Sequence, residues 1–593
     1  MLSEKVINQM QEIADDCMGD APPFCEARCP LHIEVQKYVR LIAEGKYRKA
    51  LQVIRAQTPF PGILGRVCAH PCEEECKRVE LEGALSIKNL KRFVADSADD
   101  PRQWDTEVEK SSGKKVAVIG SGPAGATAAY ELRKKGHEVV IFEKLPVVGG
   151  MLRVGIPSYR LPHEIIEREY EILEKAGVEI KLNTEVGKDI SFSELEKKYD
   201  AVFVGVGAHK SVIIPVEGKE LEGVLSGTDF LCEVDLGKEV DIGKKVVVIG
   251  GGNVAMDVAR TAWRIGAEEI DVVCLEGCCN EMPAHLWEID DAKEEGIRMN
   301  PSWGPKKIEG TDSVEGITLK KCVRVFDDEG NFNPQYDEQD QKTIDADNII
   351  FAVGQKTEAP FIGSEGVFSL ENIDPVTLQS DKKNVFVGGD CAGTVLAVEA
   401  MAHGKKAAIS IDRYLKGEDL RKNREYEDVY ETWLEKDLDE DEPKRYRIEM
   451  PMLPVEERKG NFREVELGFS PAEARGEAER CLECECKLCM EECEMLPLFC
   501  EYPKELFSEL LEEDKQLDPL IPYSCTMCGQ CTIECPKDFE LSDRFMEIRR
   551  QLIQENDGKP PLKGHNAIQM HQKMAFSRLF CTAKPAKNEE GDQ

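Results

Sequence analysis

A short β-branched stretch, Val116–Ile119, runs into Gly120-Ser-Gly122-Pro-Ala-Gly125 and then into a helical stretch, Ala126–Lys135. Strand, tight turn and helix in that order constrain the fold more than any other feature of the chain. Gly120 permits the turn, Gly122 lets the backbone approach a pyrophosphate, and Gly125 lets helix and strand pack closely, with phosphates at the helix N-terminus. A second strand, Glu138–Phe142, ends at Glu143, placed to bond a ribose hydroxyl. A glycine-rich turn with no ligand would leave Glu143 without a role. The arrangement recurs at Val246–Ile249, Gly250-Gly-Gly252-Asn253-Val-Ala255, a helix through Arg264 and a strand Ile270–Leu275, with alanine in the third glycine position. The middle of the chain is therefore expected to be α/β, with two Rossmann-like dinucleotide-binding domains.

Two such sites suggest one flavin and one nicotinamide, each supplying redox chemistry that side chains cannot. The first should hold FAD. The stretch Asn384-Val-Phe-Val-Gly-Gly389-Asp390 returns late in the chain, where such a Gly-Asp completes an FAD site, so the second unit reads as an inserted nicotinamide domain. Gly150, Gly354 and Gly389 are counted with the cofactor-contacting glycines.

The run Gly149-Gly150-Met-Leu-Arg-Val-Gly-Ile-Pro-Ser-Tyr-Arg160-Leu-Pro162, the turn ending at Asp257 and Glu281-Met-Pro-Ala284 resemble the small subunit of glutamate synthase. The same module occurs in dihydropyrimidine dehydrogenase and in NADH-dependent ferredoxin:NADP oxidoreductase, and the similarity runs from about residue 15 to about residue 415. The resemblance implies that Glu143 and Arg160 contact FAD, that Val186 faces its adenine by backbone, and that Asp390 binds the ribityl chain. NADPH users of that family carry arginines after the second nicotinamide-domain strand, where a guanidinium bonds the 2'-phosphate. This chain has Leu275-Glu276 there, and a carboxylate repels that phosphate but accepts from a free 2'-hydroxyl, so NADH is expected over NADPH. The alternative is that Glu276 faces solvent and a basic residue such as Arg298 does the work.

The chain has 23 cysteines, six of them between Cys17 and Cys76 and ten between Cys481 and Cys535. Thiols clustered at two- and three-residue spacing point to metal rather than to a secreted disulfide scaffold. Cys278, Cys279 and Cys391 read as free thiols, and no CxxC lies in either dinucleotide unit, which argues against a dithiol relay. Cys525-Thr-Met-Cys528-Gly-Gln-Cys531-Thr-Ile-Glu-Cys535-Pro matches the bacterial two-cluster ferredoxin run, in which the fourth cysteine serves the other cluster. The partner run is Cys484-Glu-Cys486-Lys-Leu-Cys489-Met-Glu-Glu-Cys493, one residue short in its first gap. One [4Fe-4S] cluster would take Cys525, Cys528, Cys531 and Cys493. The other would take Cys486, Cys489, Cys535 and either Cys484 or Cys481, with Cys500 to spare. This end resembles the ferredoxin-type subunit of heterodisulfide-reductase systems, an extension that the glutamate synthase small subunit does not carry.

The N-terminal group, Cys17, Asp20, Cys25 and Cys29 followed by Cys68, Cys72 and Cys76, brackets a stretch of helical periodicity, Ile33–Arg55. The family resemblance implies one cluster on Cys17, Asp20, Cys25 and Cys76, with Asp20 in a cysteine position. It implies another on Cys29, Cys68 and Cys72, whose fourth position falls near Lys91, which is no ligand. One or two N-terminal clusters are expected, with zinc as the alternative occupant.

The formal charge of -36, from 113 acidic and 77 basic residues, argues against a nucleic-acid surface, and nothing resembles a secretory or membrane-spanning segment, so a cytoplasmic location is expected. The expected organisation begins with an α-helical iron-sulfur domain (1–110). An FAD domain in two segments (114–235 and 346–418) follows, with an NAD(P)H domain (240–345) inserted between them. A charged linker (419–479), a two-cluster ferredoxin-like domain (480–558) and a flexible tail (559–593) complete it. The chain reads as an oxidoreductase subunit moving electrons between NADH, FAD and iron-sulfur clusters within a larger assembly of a kind compatible with bifurcation. Ferredoxin, heterodisulfide-reductase-like, hydrogenase and formate dehydrogenase subunits are the candidate partners. The rivals are a glutamate synthase small subunit and an electron-transfer adaptor with a vestigial nicotinamide site.

Overall fold

The computed structural model describes residues 4–277, 279–362, 369–393, 395–435, 438, 443–512, 518–577 and 579. The chain divides into two compact units, one of residues 25–430 and 443–482, the other of residues 1–24, 431–442 and 483–593.

The larger unit carries two five-stranded parallel sheets. In the first, Lys115–Ile119 lies between Ala201–Val204 and Glu138–Phe142, with Val385–Val387 at one edge and Glu179–Lys181 at the other. In the second, Lys245–Ile249 lies between Asn348–Phe351 and Glu269–Val273, with Val224–Ser226 and Arg298–Asn300 at the edges. The central strands of both, KVAVI and KVVVI, are buried beyond their first lysine, as continuous β-branched runs covered on two faces should be. An antiparallel meander, Trp303–Gly310, Val314–Phe326 and Phe332–Asp345, follows the second sheet.

Pairing moves two expected boundaries. Val224–Ser226 and Asn348–Phe351 both pair into the nicotinamide sheet, although a break at 235 and 346 would have left them with the FAD domain. Among the described residues after 346, only the late strand Val385–Val387 returns to the first sheet. The periodic stretch Ile33–Arg55 is two helices, Val35–Ala43 and Tyr47–Arg55, separated where Gly45 takes φ +73°. Val35, Tyr38, Val39 and Ile42 bury one face of the first.

Residues 443–479 of the expected charged linker pack into the larger unit. Ser470 caps the helix Pro471–Ala478, and Glu477, fully buried, accepts from the backbone N–H groups of Ser86 and Ile448 at 2.8 Å each. Glu464 pairs with Arg66 at 2.7 Å and Arg92 at 2.9 Å, and Glu466 with Lys88 at 2.9 Å. The charges there are anchors: Glu464 and Glu466 meet opposite charges on the helices Pro61–Val67 and Ile87–Ala98, and Glu477 caps backbone N–H groups. Most of the acidic run between Glu435 and Glu442 lies outside the described residues, as does Cys278.

In the smaller unit the helix Glu4–Asp16 packs against Pro503–Leu511 and Leu541–Glu555 around Met10, Ile13, Leu506, Phe507 and Phe545. The expected N-terminal domain therefore loses its first 24 residues to the unit that holds the C-terminal cysteines. No described helix is long and apolar enough to cross a membrane.

Candidate cofactor and cluster sites

A cavity of about 350 Å³ opens at the carboxyl ends of the first sheet, lined among others by Gly120, Gly122, Glu143, Gly150, Arg160, Val186, Asn253, Gly389 and Asp390. Gly120 holds φ +96°, and a Cβ there would stand 2.4 Å from the Gly205 carbonyl, so only glycine fits the turn. At Gly122 a Cβ would meet nothing within 4 Å, which leaves its backbone open to the cavity, the cradle a pyrophosphate needs. Gly252 in the second turn is open in the same way. Gly250 and Ala255 form the remainder of that turn, and Gly354, at φ +123°, accepts from the Val212 N–H at 2.9 Å beside the cavity wall residue Gln355.

Glu143 is buried. Its Oε2 accepts from the N–H and hydroxyl of Ser121 at 2.8 and 2.7 Å, and its Oε1 from the Leu145 N–H at 2.9 Å. Asp390 accepts from the Val395 N–H at 3.2 Å, and burial pushes its carboxyl up. Arg160 Nη1 donates to both carboxylate oxygens of Asp257, at 2.7 and 2.6 Å, and Nη2 to Glu288. Burial opposes its charge, but the two carboxylates outweigh burial and move its pKa upward. Arg160 thus lines the cavity while tied to two acids of the second domain. Sequence reading missed Asp257 and Glu288 as its partners, although Asp257 stood within the quoted motif. It also missed His209, which lines the cavity and which burial pushes down to about 4. A histidine after Gly205-Val-Gly207-Ala carries no motif of its own.

Glu276 is half-buried beside the second turn, its carboxylate 2.9 Å from where a Cβ on Gly251 would sit. Arg298, the alternative nucleotide ligand, is engaged elsewhere, by Asp271 at 2.6 Å and Glu269 at 3.1 Å.

The thiols fall into groups. In the larger unit Cys29, Cys68 and Cys72 are buried around the ammonium of Lys91, which burial pushes down and the three thiols pull up, with a net rise. Cys25, Cys76 and Cys481 are partly buried against the same core. Cys391 is a free buried thiol. In the smaller unit Cys531 is surrounded by Cys493, Cys525 and Cys528. A separate small cavity there is lined by Cys17, Cys486, Cys489 and Cys535, while Cys484 packs against Met18, Ala21 and Leu434. The carboxylate of Asp20 pairs with Lys504 Nζ at 3.0 Å. The structure thus draws Cys17 and Asp20 into surroundings that the family pattern did not give them. No described group of His, Cys, Asp or Glu is drawn tightly enough to grip a single metal ion. Thiol donors grouped in this way suit iron-sulfur cores, which are wider than one ion.

A dinucleotide cavity at the switch of a parallel sheet, a second dinucleotide turn and grouped thiols on both flanks define a flavin- and nicotinamide-type oxidoreductase with iron-sulfur domains. Residues 114–404 match the family described as pyridine nucleotide-disulphide oxidoreductase, and the chain belongs to it. Residues 3–103 match dihydropyrimidine dehydrogenase domain II, 4Fe-4S cluster, and residues 480–540 a 4Fe-4S dicluster domain. The chain is 40% identical over 504 residues to the NADP(+)-dependent formate dehydrogenase subunit beta of Moorella thermoacetica, covering 78% of this chain and 70% of that one. It is 36% identical to the NADPH-Fe(3+) oxidoreductase subunit beta of Geobacter sulfurreducens, covering 78% and 75%. It is 33% identical to the glutamate synthase [NADPH] small chain of Escherichia coli, covering 69% and 92%.

Proposed function

We propose that the chain is the flavin subunit of a multi-subunit electron-transfer assembly, taking electrons from NADH and delivering them to its own iron-sulfur clusters. One observation carries this reading. Val67 lines the dinucleotide cavity, and the next residue, Cys68, belongs to the buried thiol group with Cys29 and Cys72. A flavin and a cluster bound there would share a wall one residue thick. When bound, FAD exchanges a hydride with a nicotinamide and single electrons with clusters, chemistry that no side chain here supplies. The chain's own residues hold and orient. The turn at Gly122 receives a pyrophosphate, Glu143 a ribose, and Arg160 fixes the second domain against the cavity through Asp257 and Glu288.

NADH is the proposed donor because Glu276 lies over Gly251, where a carboxylate accepts from a 2'-hydroxyl and repels a 2'-phosphate. The names of the three relatives carry NADP or NADPH, which makes the competition decisive. Under anaerobic conditions NADH should bleach the flavin at least about tenfold faster than NADPH, the weight of one charge-bearing hydrogen bond. Equal rates, or faster NADPH, would sink the NADH assignment. If neither nucleotide bleaches the flavin, the chain is an adaptor and not a nicotinamide oxidoreductase.

The assembly is proposed on the relatives' subunit names together with the C-terminal thiol arm. Coverage of 92% of the glutamate synthase small chain favours a second reading, in which the partner is an amidotransferase. Anaerobic purification with bound companions separates the two. A redox subunit is expected, and an amidotransferase would replace the first reading with the second.

A further inference from the structure

We propose that Cys17, near the start of the chain, is the fourth thiolate of the C-terminal iron-sulfur site whose other ligands are Cys486, Cys489 and Cys535. The inference rests on reading the chain as an iron-sulfur protein. It departs from the pattern that grouped Cys17 with Asp20, Cys25 and Cys76.

The placement follows from how the first residues fold. Val6, Met10 and Ile13 of the helix Glu4–Asp16 enter the same core as Leu506, Phe507 and Phe545, and the Cys17 N–H closes the helix on the Ile13 carbonyl at 3.2 Å. The thiol therefore leaves the helix end already buried, and it walls one small cavity with Cys486, Cys489 and Cys535.

The turn that follows, Met18–Asp20, is docked at two points. A Cβ on Gly19 would stand 2.5 Å from the Tyr502 Cβ, so glycine is what lets the turn approach. Asp20 pairs with Lys504 at 3.0 Å. The backbone N–H groups of Gly19 and Lys504 face the Cys17 sulfur, and such bonds to ligand sulfurs are one of the means by which proteins set cluster potentials. Asp20, in this arrangement, anchors the turn that presents Cys17 and is not itself a ligand.

The competing ligands are placed elsewhere. Cys484 and Cys486 both pack with Met18, Ala21 and Leu434, but of the two only Cys486 lines the cavity. Cys481 belongs to the other unit and packs against the core that also receives Cys25 and Cys76. Cys531, Cys493, Cys525 and Cys528 form the companion group. Cys17 thus supplies the thiolate that the shortened gap between Cys484 and Cys486 withholds. Two complete four-thiolate sets result, the full complement of a two-cluster domain.

The test uses the full chain, purified anaerobically, with iron, acid-labile sulfide and flavin counted per chain and the dithionite-reduced protein examined by EPR. Cys17→Ala should lose about four irons, one [4Fe-4S] cluster, and keep its flavin. Cys17→Ser should keep the iron through its oxygen and shift one EPR signal. Cys484→Ala, and Cys500→Ala as a thiol control in the same core, should match the unsubstituted protein in both measurements. Cys17→Ala with unchanged iron and spectrum overturns the proposal, as does an equal or larger loss in Cys484→Ala. An unsubstituted protein that holds zinc, or neither iron nor sulfide, overturns the iron-sulfur reading itself.

Discussion

The two dinucleotide turns are built to the same plan and closed to different degrees. In the first, a Cβ on Gly125 would stand 2.0 Å from the Gly120 carbonyl. In the second, the equivalent position is Ala255, whose methyl is fully buried without displacing the turn. The acids differ in the same sense. Glu143 is buried and fixed by three donors, whereas Glu276 stands half-buried over Gly251. A tight turn with a locked acid suits a nucleotide that is retained, and a looser turn with a reachable acid suits one that comes and goes.

The sharpest way to break that comparison is Gly125→Ala. The added methyl collides with backbone, which cannot move aside as a flexible side chain can, and the overpacking should cost about 2–3 kcal/mol. Flavin absorbance in the purified protein should fall by about tenfold or more. Full flavin retention would show that the first turn is no tighter than the second.

This contrast also marks what the sequence could disclose. Both turns were legible because each site is written within some thirty residues, strand, glycines, helix and acid in order, and the local pattern is the site. The thiol sites are assembled differently. Cys17 meets Cys486, Cys489 and Cys535 only because Met10 and Ile13 share a core with Phe507 and Phe545, a contact that no spacing rule encodes. The same holds for the charged linker expected over 419–479, in which Glu464 and Glu477 meet Arg66 and the Ser86 amide. Arg160 was legible as a flavin-side residue, but its partners Asp257 and Glu288 lie in another domain.

A second prediction concerns the histidine of the first site. Burial, with Lys144 adding to it, pushes His209 down to about 4 from an ordinary 6.5. Between those values the unfolded chain binds a proton that the folded chain refuses, so stability should rise with pH from about 4 to 6.5 and level off above. The contribution is about 3 kcal/mol. His209→Gln should flatten that slope in urea melts taken at pH 4.5, 5.5 and 7, and an unchanged slope would show that the imidazole is accessible. His285, at the second turn, is lowered by burial but is only half-buried, and its replacement should alter the slope less.

Glu276→Ser should move the ratio of NADPH to NADH reduction rates about tenfold toward NADPH, roughly the 1.5 kcal/mol of a hydrogen bond to a charged group. Flavin content should not change, since Glu276 stands beside the second turn and does not line the first cavity. A variant with an unaltered ratio would mean that the carboxylate does not meet the ribose.

The smallest effect is expected from Ala255→Gly, which makes the second turn match the first in sequence. Glycine in the first turn of a helix frees the unfolded chain and removes a buried methyl, so the protein should lose about 1 kcal/mol. Nothing in the geometry ties that methyl to the nucleotide, because the open face of the turn is at Gly252. The KM for NADH should therefore stay within about twofold while the melting temperature falls by a few degrees. If instead the substitution tightened NADH binding severalfold, the alanine would be holding the turn open. The looseness of the second site would then be a tuned property of residue 255 and not a consequence of where its acid stands.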